Sequence, residues 1–265
     1  MKNLVSLAAV LTASALMASP AAALTADEIM DRANLAYYYA GDDGKGRVTM
    51  TITDAAGRTR TRELTMLRKD MSDGGEQRYY VYFHKPLDVS GMVFMVWKHP
   101  DRDDDRWLYI PAIDLVKRVA ARDKRSSFAG SNFTYEDVSG RNPSLDTHEL
   151  VREETLDSRA VYVVKNTPRD DSAVEFSYYL LWIDKENFIP LRGEYYDKGG
   201  KLYKVMTVEE TRTIQGILTI TRARARDLEK GETVIEFKDV KYNIGIDDSI
   251  FTERFLRRPP RKYIR

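Results

Sequence analysis

Polar and apolar residues change their spacing near Arg47. Between residues 26 and 40, apolar side chains recur every three or four positions, which is the spacing of one helical face. Thr25 and Glu28 form a capping-box sequence before this stripe, and Gly41 follows it. We therefore predict a helix over residues 26–40.

After Arg47 the spacing becomes two. Val48, Met50 and Ile52 alternate with threonines, as expected for a strand with one polar face. Similar segments continue to residue 243, and short turns join most of them. About eleven strands at this spacing predict a mainly β protein with one large antiparallel sheet. A sheet of this size curves, and its concave face needs a cover if it does not close into a barrel.

Residues 91–98 differ from the other predicted strands because both faces are apolar. Val93, Met95 and Trp97 alternate with an equally apolar set. We expect this strand to be the most buried one, covered from both sides.

The segment from Arg106 to Val138 has an unusual composition. An apolar run from Trp107 ends at Pro111, because proline cannot donate to a sheet ladder. Further along, Phe128 and Phe133 lie on a glycine and serine loop. Loops normally face water, so these rings either pin the loop onto the core or close an apolar opening.

This segment resembles a known family. The residues that carry the resemblance are Trp107, Tyr109, Pro111, Arg118, Phe128, Gly130, Ser131, Phe133 and Asp137. Their pattern is similar to that of the LolA-like periplasmic proteins, called outer-membrane lipoprotein-sorting proteins. The resemblance implies an incomplete, half-open β-barrel with a few helices over its mouth, here near residues 26–40 and 131–139.

The first residues predict secretion. Lys2, an apolar run and a small-residue ending at Ala23 are typical of a signal peptide over residues 1–23, which leaves a single domain over 24–265. The chain has no cysteine, so we expect neither a lipid anchor nor a disulfide. No later apolar stretch reaches the length of a membrane span. These features predict a periplasmic or secreted protein.

Composition and charge indicate an ordinary globular protein. Hydrophobic residues make up 43% of the chain and charged residues 31%. Removing Lys2 with the signal peptide leaves 41 of the 42 basic residues against 41 acidic ones. This balance gives no reason to expect nucleic acid as a partner.

Candidate catalytic and metal-binding residues are few. The chain has three histidines, and His84 and His99 show no metal-ligand spacing. The acidic run 101–105 starts like a calcium loop, but Arg106 and Ala112 occupy the positions of its glycine and glutamate. We expect no enzyme activity, metal or cofactor, although folding could bring two carboxylates together.

Alternation and side-chain type define a candidate lipid cavity. Flexible methionines suit variable apolar guests, although they also serve as core filler. The residues predicted to line it are Met50, Ile52, Leu64, Met66, Tyr80, Tyr82, Met95, Trp97, Trp107, Tyr109, Tyr178 and Leu180. A slip of one residue would exchange the inward and outward sets. Phe128, Phe133 and Tyr135 are the predicted lid or gate, on a loop or short helix capped by Ser131.

Two basic segments add detail. In the run 221–227, arginines alternate with Ala223 and Ala225. This pattern predicts either small side chains that face a hollow interior, with the arginines facing water or acids, or an edge strand protected by its charges. The segment 254–265 mixes basic and apolar residues. It predicts either a solubilising end or a strip that docks on an anionic membrane or an inner-membrane partner.

Together these features predict a carrier without catalytic activity. It would bind acyl chains of lipoproteins or lipids in a hydrophobic cavity and move them toward the outer membrane. The alternative is an accessory or scaffold protein of an inner-membrane lipid transporter of the resistance-nodulation-division type, with a fully packed barrel.

Overall fold

The computed structural model describes residues 23–72 and 74–265. The predicted signal peptide, residues 1–23, lies outside these ranges except for its last residue. The α-helices of the described ranges are α1 (Ala26–Tyr38), α2 (Tyr135–Ser139), α3 (Glu253–Arg257) and α4 (Arg261–Ile264). None of the helices in these ranges is long and apolar enough to cross a membrane.

Helix α1 begins where its sequence predicts. The Thr25 hydroxyl accepts from the Glu28 backbone N–H at 3.2 Å, and the Glu28 carboxylate accepts from the Thr25 N–H at 2.8 Å. This reciprocal capping satisfies donors that the helix start leaves free. The helix ends at Tyr38, two residues before the predicted end.

One antiparallel sheet makes up most of the described chain. Its strands are β1 (Asp43–Asp54), β2 (Thr59–Asp70), β3 (Gln77–Lys85), β4 (Val93–Lys98), β5 (Asp105–Ile110), β6 (Leu115–Arg118), β7 (Asp146–Leu156), β8 (Arg159–Pro168), β9 (Phe176–Asp184), β10 (Pro190–Asp197), β11 (Leu202–Ile214), β12 (Ile217–Asp227) and β13 (Gly231–Tyr242). The spatial order is β6-β5-β4-β3-β2-β1-β13-β12-β11-β10-β9-β8-β7. Strands β6 and β7 are free edges, so the sheet is not closed into a barrel.

The mainly β, open architecture confirms the predicted fold class. The sheet has 13 strands, more than the predicted number of about eleven. Both short runs around Pro111 pair into the ladder, as β5 and β6. Proline starts a short 3-10 helix, Pro111–Ile113, between these two strands.

The inner face of the sheet is continuous across its centre. Residues opposite one another in an antiparallel pair point to the same face. The paired positions on this face include Leu64, Val48 and Phe237 in one row, and Met50, Ile235, Ala223 and Val208 in the next. Strands from β3 through β2, β1 and β13 to β9 line one cavity, so this side of the sheet is concave.

The outer face of β2 to β5 is covered by the C-terminal segment, residues 244–265. Ile246, Phe251 and Leu256 of this segment are fully buried against it. The Trp97 indole N–H donates to the Phe251 carbonyl at 2.8 Å, and the Tyr80 hydroxyl donates to the Phe255 carbonyl at 2.7 Å. The apolar part of the C-terminal segment therefore belongs to the protein core.

Strand β4 is buried on both faces, as its sequence predicts. Phe94 packs against Phe128 on the inner side, with ring centroids 5.4 Å apart. On the outer side Met95 belongs to the cluster formed with the C-terminal segment. Two apolar faces thus correspond to two separate covers.

Candidate functional site

A cavity lies between the concave sheet, helix α1 and the segment 125–143. Its volume is about 340 Å³, within the range of roughly 300 to 1,000 Å³ that is usual for small-molecule sites. Its apolar wall includes Val48, Met50, Leu64, Met66, Leu181, Leu191, Met206, Ala223, Ile235 and Phe237. Flexible thioethers beside branched side chains form a wall that can adapt to different apolar shapes.

Part of the predicted lining is placed in this wall. Met50, Leu64 and Met66 line the cavity. Ile52 lies on the same face and packs in the adjoining core, but it is not part of the lining. Ala223 also borders the cavity while Arg222 and Arg224 pair with Glu209 on the other face, as their alternation predicts.

The other predicted lining residues of the first half of the sheet were assigned to the wrong face. These residues are Tyr80, Tyr82, Met95, Trp97, Trp107 and Tyr109, and all of them pack with the C-terminal segment. The two faces of these strands are equally apolar because each has its own cover. Alternation therefore identified the two sets without showing which set points inward.

Strand β9 shows the same error. Tyr178 and Leu180 lie on the outer face, where Tyr178 stacks on Tyr196 with ring centroids 4.5 Å apart. Tyr179 and Leu181 line the cavity instead. The sequence did not show which residues of β9 face the cavity, because both faces of this strand are apolar and its register is irregular beside Phe176.

The segment 127–134, here called the lid loop, covers one side of the cavity. Phe128 and Phe133 line the cavity, whereas Tyr135 packs behind Phe128 with ring centroids 5.6 Å apart. The Phe128 N–H donates to the Phe133 carbonyl at 2.8 Å, and Gly130 has a positive φ of 77° that closes the turn. Both rings are therefore core residues of a closed loop that also borders the cavity.

Ser131 does not cap the following helix. Its hydroxyl donates to the Phe128 carbonyl at 2.7 Å and so holds the lid loop closed. Helix α2 is capped by Thr134, whose hydroxyl accepts from the Asp137 N–H at 3.2 Å. Prediction of the cap failed because two hydroxyl residues precede the helix and only the second lies next to it.

A latch joins the lid loop to the sheet. The Asn132 N–H donates to the Thr233 hydroxyl at 3.0 Å, and this hydroxyl donates to the Asn132 side-chain oxygen at 2.8 Å. Thr233 is fully buried on β13, 101 residues away in sequence. Neither residue had been predicted as a site residue, because nothing local marks such a distant pair.

One end of the cavity is polar. We call the group Tyr37, Tyr38, Arg125, Asp137, Arg141 and Tyr195 the polar end. Lys204 of β11 donates to Asp137 at 3.1 Å, and Arg125 lies 3.6 Å from the same carboxylate. Burial by itself would raise the pKa of Asp137, but the charges of Lys204 and Arg125 outweigh it and lower the pKa.

The cations of the polar end all have acidic partners. Arg125 lies 2.7 Å from Glu175 and 3.1 Å from Glu136, and the pKa of Arg125 is raised although burial opposes this. Arg141 lies 2.7 Å from the fully buried Asp146. Of these groups only Asp137 had been singled out in the sequence, because the others depend on contacts between distant segments.

The remaining motif residues lie away from the cavity. Arg118, at the end of the edge strand β6, pairs with Asp105 and lies over the Trp107 ring, 5.5 Å from its centroid. Pro111 ends β5 at the same edge. In the described part of the chain, no group of three or more histidine, cysteine, aspartate or glutamate residues is arranged to hold a metal ion.

Several known proteins are similar to this chain. A family model described as an uncharacterized protein matches residues 75–258. An outer membrane lipoprotein-sorting protein domain from Vibrio parahaemolyticus has 26% identity and a TM-score of 0.81, over 88% of this chain and 98% of that one. The chain belongs to the family of the matching model, and its fold is that of the LolA-like sorting proteins.

Two further structures are similar to this LolA-like protein. A DUF1329 family protein from Desulfovibrio piger is 28% identical, with a TM-score of 0.80, over 87% of this chain and 97% of that one. A LolA superfamily protein from Nitrosomonas europaea shares the fold at 24% identity, with a TM-score of 0.68, over 88% and 100% of the two chains. No curated protein matches the chain.

Proposed function

We propose that this LolA-like protein is a periplasmic carrier that binds acyl chains of lipoproteins or lipids and shuttles them toward the outer membrane. The observation that carries the proposal is the apolar cavity of about 340 Å³ under a latched lid loop. Burial of each methylene group contributes about 0.8 kcal/mol, so even part of one acyl chain provides useful affinity. Binding and release need no bond to be made or broken.

Two further observations support this proposal. The similar structure from Vibrio parahaemolyticus is an outer membrane lipoprotein-sorting protein domain, and that chain is 26% identical to this one. The sequence of residues 1–23 is typical of a signal peptide, which agrees with a periplasmic location.

A cavity-filling variant tests the proposal. Ala223→Leu adds three carbons to the cavity wall, while the control Val205→Leu adds one carbon on the outer face of β11. Protein purified without detergent is extracted with organic solvent, and the extract is analysed by mass spectrometry. We expect lipid with wild type and Val205→Leu, and weaker retention by Ala223→Leu, by about fourfold for each methylene excluded.

A clean extract from wild type, together with no uptake of the fluorescent apolar probe N-phenyl-1-naphthylamine, would refute the carrier. Equal lipid retention by the two variants would show that lipid binds elsewhere. Thermal unfolding of each variant checks that the fold is retained.

We also propose that the C-terminal segment docks the carrier on an anionic membrane. Its apolar residues are buried, but Arg254, Arg258 and Arg261 remain exposed. Each basic residue near an anionic surface contributes about 1 kcal/mol. Changing all three to glutamine should weaken binding to phosphatidylglycerol vesicles by about 3 kcal/mol, whereas the same change at exposed Arg60, Lys198 and Lys230 should have little effect. Equal binding by both triple variants would contradict this docking.

The scaffold alternative, as an accessory of a resistance-nodulation-division transporter, requires a packed interior. The cavity described above gives this alternative no support. A clean extract combined with a stable transporter complex would favour it over the carrier.

A further inference from the structure

Six tyrosines line the cavity, and only some of their hydroxyl groups have a hydrogen-bond partner. Three of them have partners: Tyr79 donates to Gln77 at 2.9 Å, Tyr179 donates to Asp146 at 2.8 Å, and Tyr242 shares a hydrogen bond of 2.9 Å with Thr219. The hydroxyls of Tyr37, Tyr38 and Tyr195 make no hydrogen bond within the described ranges. A tyrosine enclosed by protein usually satisfies its hydroxyl, so three such groups at one site call for a ligand.

These three tyrosines belong to the polar end. Tyr37 and Tyr38 are in edge contact with ring centroids 4.4 Å apart, and the Lys204 amine lies 5.5 Å from the Tyr195 ring centroid. The charge of Asp137 acts on all three hydroxyls. Burial first, and this carboxylate second, raise the pKa of Tyr37 to about 12, and the pKa of Tyr195 rises for the same two reasons. The hydroxyls are therefore protonated donors at neutral pH.

The charge around these donors is already balanced. Asp137 accepts from Lys204, and Arg125 and Arg141 are paired with Glu175 and Asp146. A phosphate or carboxylate would find no unpaired cation at the polar end and would be repelled by Asp137. An ester carbonyl or hydroxyl oxygen could accept from the tyrosines without adding charge.

We propose that the polar end holds the uncharged, oxygen-bearing head of a single-chain lipid, such as a glyceride ester, through Tyr37, Tyr38 and Tyr195. The hydrocarbon chain of the lipid lies along the apolar wall formed by residues such as Met50, Met66 and Ile235. This inference rests on the proposed carrier function and adds the chemical class of the lipid head.

The test compares lipids that share one acyl chain. Palmitate, 1-monopalmitoylglycerol and palmitoyl lysophosphatidylglycerol each displace N-phenyl-1-naphthylamine from the purified protein. Wild type should bind monopalmitoylglycerol most tightly. Each tyrosine-to-phenylalanine change at positions 37, 38 and 195 should weaken that binding by about fivefold, the size of one hydrogen bond. Binding of the naphthylamine probe should be unchanged or tighter, because a free hydroxyl no longer has to be desolvated.

Tyr178→Phe and Tyr196→Phe are the controls, because they change a stacked pair on the outer face. Tighter binding of either anionic lipid, or an equal effect of the inner and outer variants, would overturn the proposed head group while leaving the carrier intact. Failure of wild type to bind the naphthylamine probe at all would overturn both proposals.

Discussion

Asp137 shows how one residue can have a local and a distant role. Its carboxylate accepts from the Thr134 N–H at 2.8 Å and so caps helix α2. The same carboxylate accepts from Lys204, which is 67 residues away on β11 and only 5% exposed in its side chain. The capping contact joins residues only three positions apart, whereas the ion pair requires the folded sheet.

The ion pair between Asp137 and Lys204 predicts that Asp137→Asn strongly lowers the free energy of unfolding. Removal of the carboxylate charge leaves Lys204 buried without its partner, which costs about 3 kcal/mol of unfolding free energy. Glu229→Gln is the control, because Glu229 and Lys201 form a pair that is about 70% exposed on both sides and contributes little to stability. Urea unfolding at neutral pH measures both changes.

The pH dependence follows from the lowered pKa of Asp137. A carboxyl with a lower pKa in the folded state contributes stability that is present above its unfolded value. That contribution disappears as the pH falls through the folded-state pKa. The difference between wild type and Asp137→Asn should be constant near neutral pH and decrease only below the ordinary value of 3.8. A difference that stays constant under more acidic conditions would contradict the ion pair.

At the scale of elements, the lid loop is tied to the sheet by the latch and by Phe128. Its own hydrogen bonds close it into a compact turn, and Phe128 anchors it between Phe83 and Phe94. The Asn132 to Thr233 latch fixes it to β13. A guest that enters on this side must release the latch.

Thr233→Val should loosen the lid loop. Valine has the same shape but no hydroxyl, so the backbone N–H and the side-chain oxygen of Asn132 lose their partner. This loss should lower the unfolding free energy by about 1 to 3 kcal/mol. We expect faster hydrogen exchange of residues 127–134, measured by mass spectrometry, and faster release of a bound probe.

Thr221→Val provides a matched control on β12. The Thr221 hydroxyl oxygen is buried without a hydrogen-bond partner in the described chain, so its removal should leave stability equal or higher. Unchanged exchange of residues 127–134 in Thr233→Val would show that the latch does not hold the loop.

At the scale of the whole molecule, an open sheet is stable because each apolar face has its own cover. Helix α1 and the segment 125–143 cover the inner face incompletely and leave the cavity. The C-terminal segment covers the outer face of β2 to β5 completely enough that Tyr80 and Met95 are fully buried. The edge strand β7 exposes Glu149, Arg152 and Glu153, which disfavour pairing with another chain.

The sequence by itself determined the elements. Period-two alternation identified the strands, a capping box identified the start of α1, and two apolar faces identified β4 as the most buried strand. These features are local, because each depends on the spacing of a few neighbouring residues. Ala223 and its flanking arginines could be assigned to opposite faces for the same reason.

Only the tertiary structure decided which face is the inner one. Tyr80, Trp97 and Tyr178 were expected in the cavity and lie outside it, because apolar residues on both faces of a strand make its two orientations equivalent in sequence. The latch and the polar end also appear only after folding. The latch joins residues 101 positions apart, and the contact of Lys204 with Asp137 at the polar end joins residues 67 positions apart. Sequence spacing determines which residues of a strand share a face. The segment that packs on each face determines which of the two faces points into the cavity.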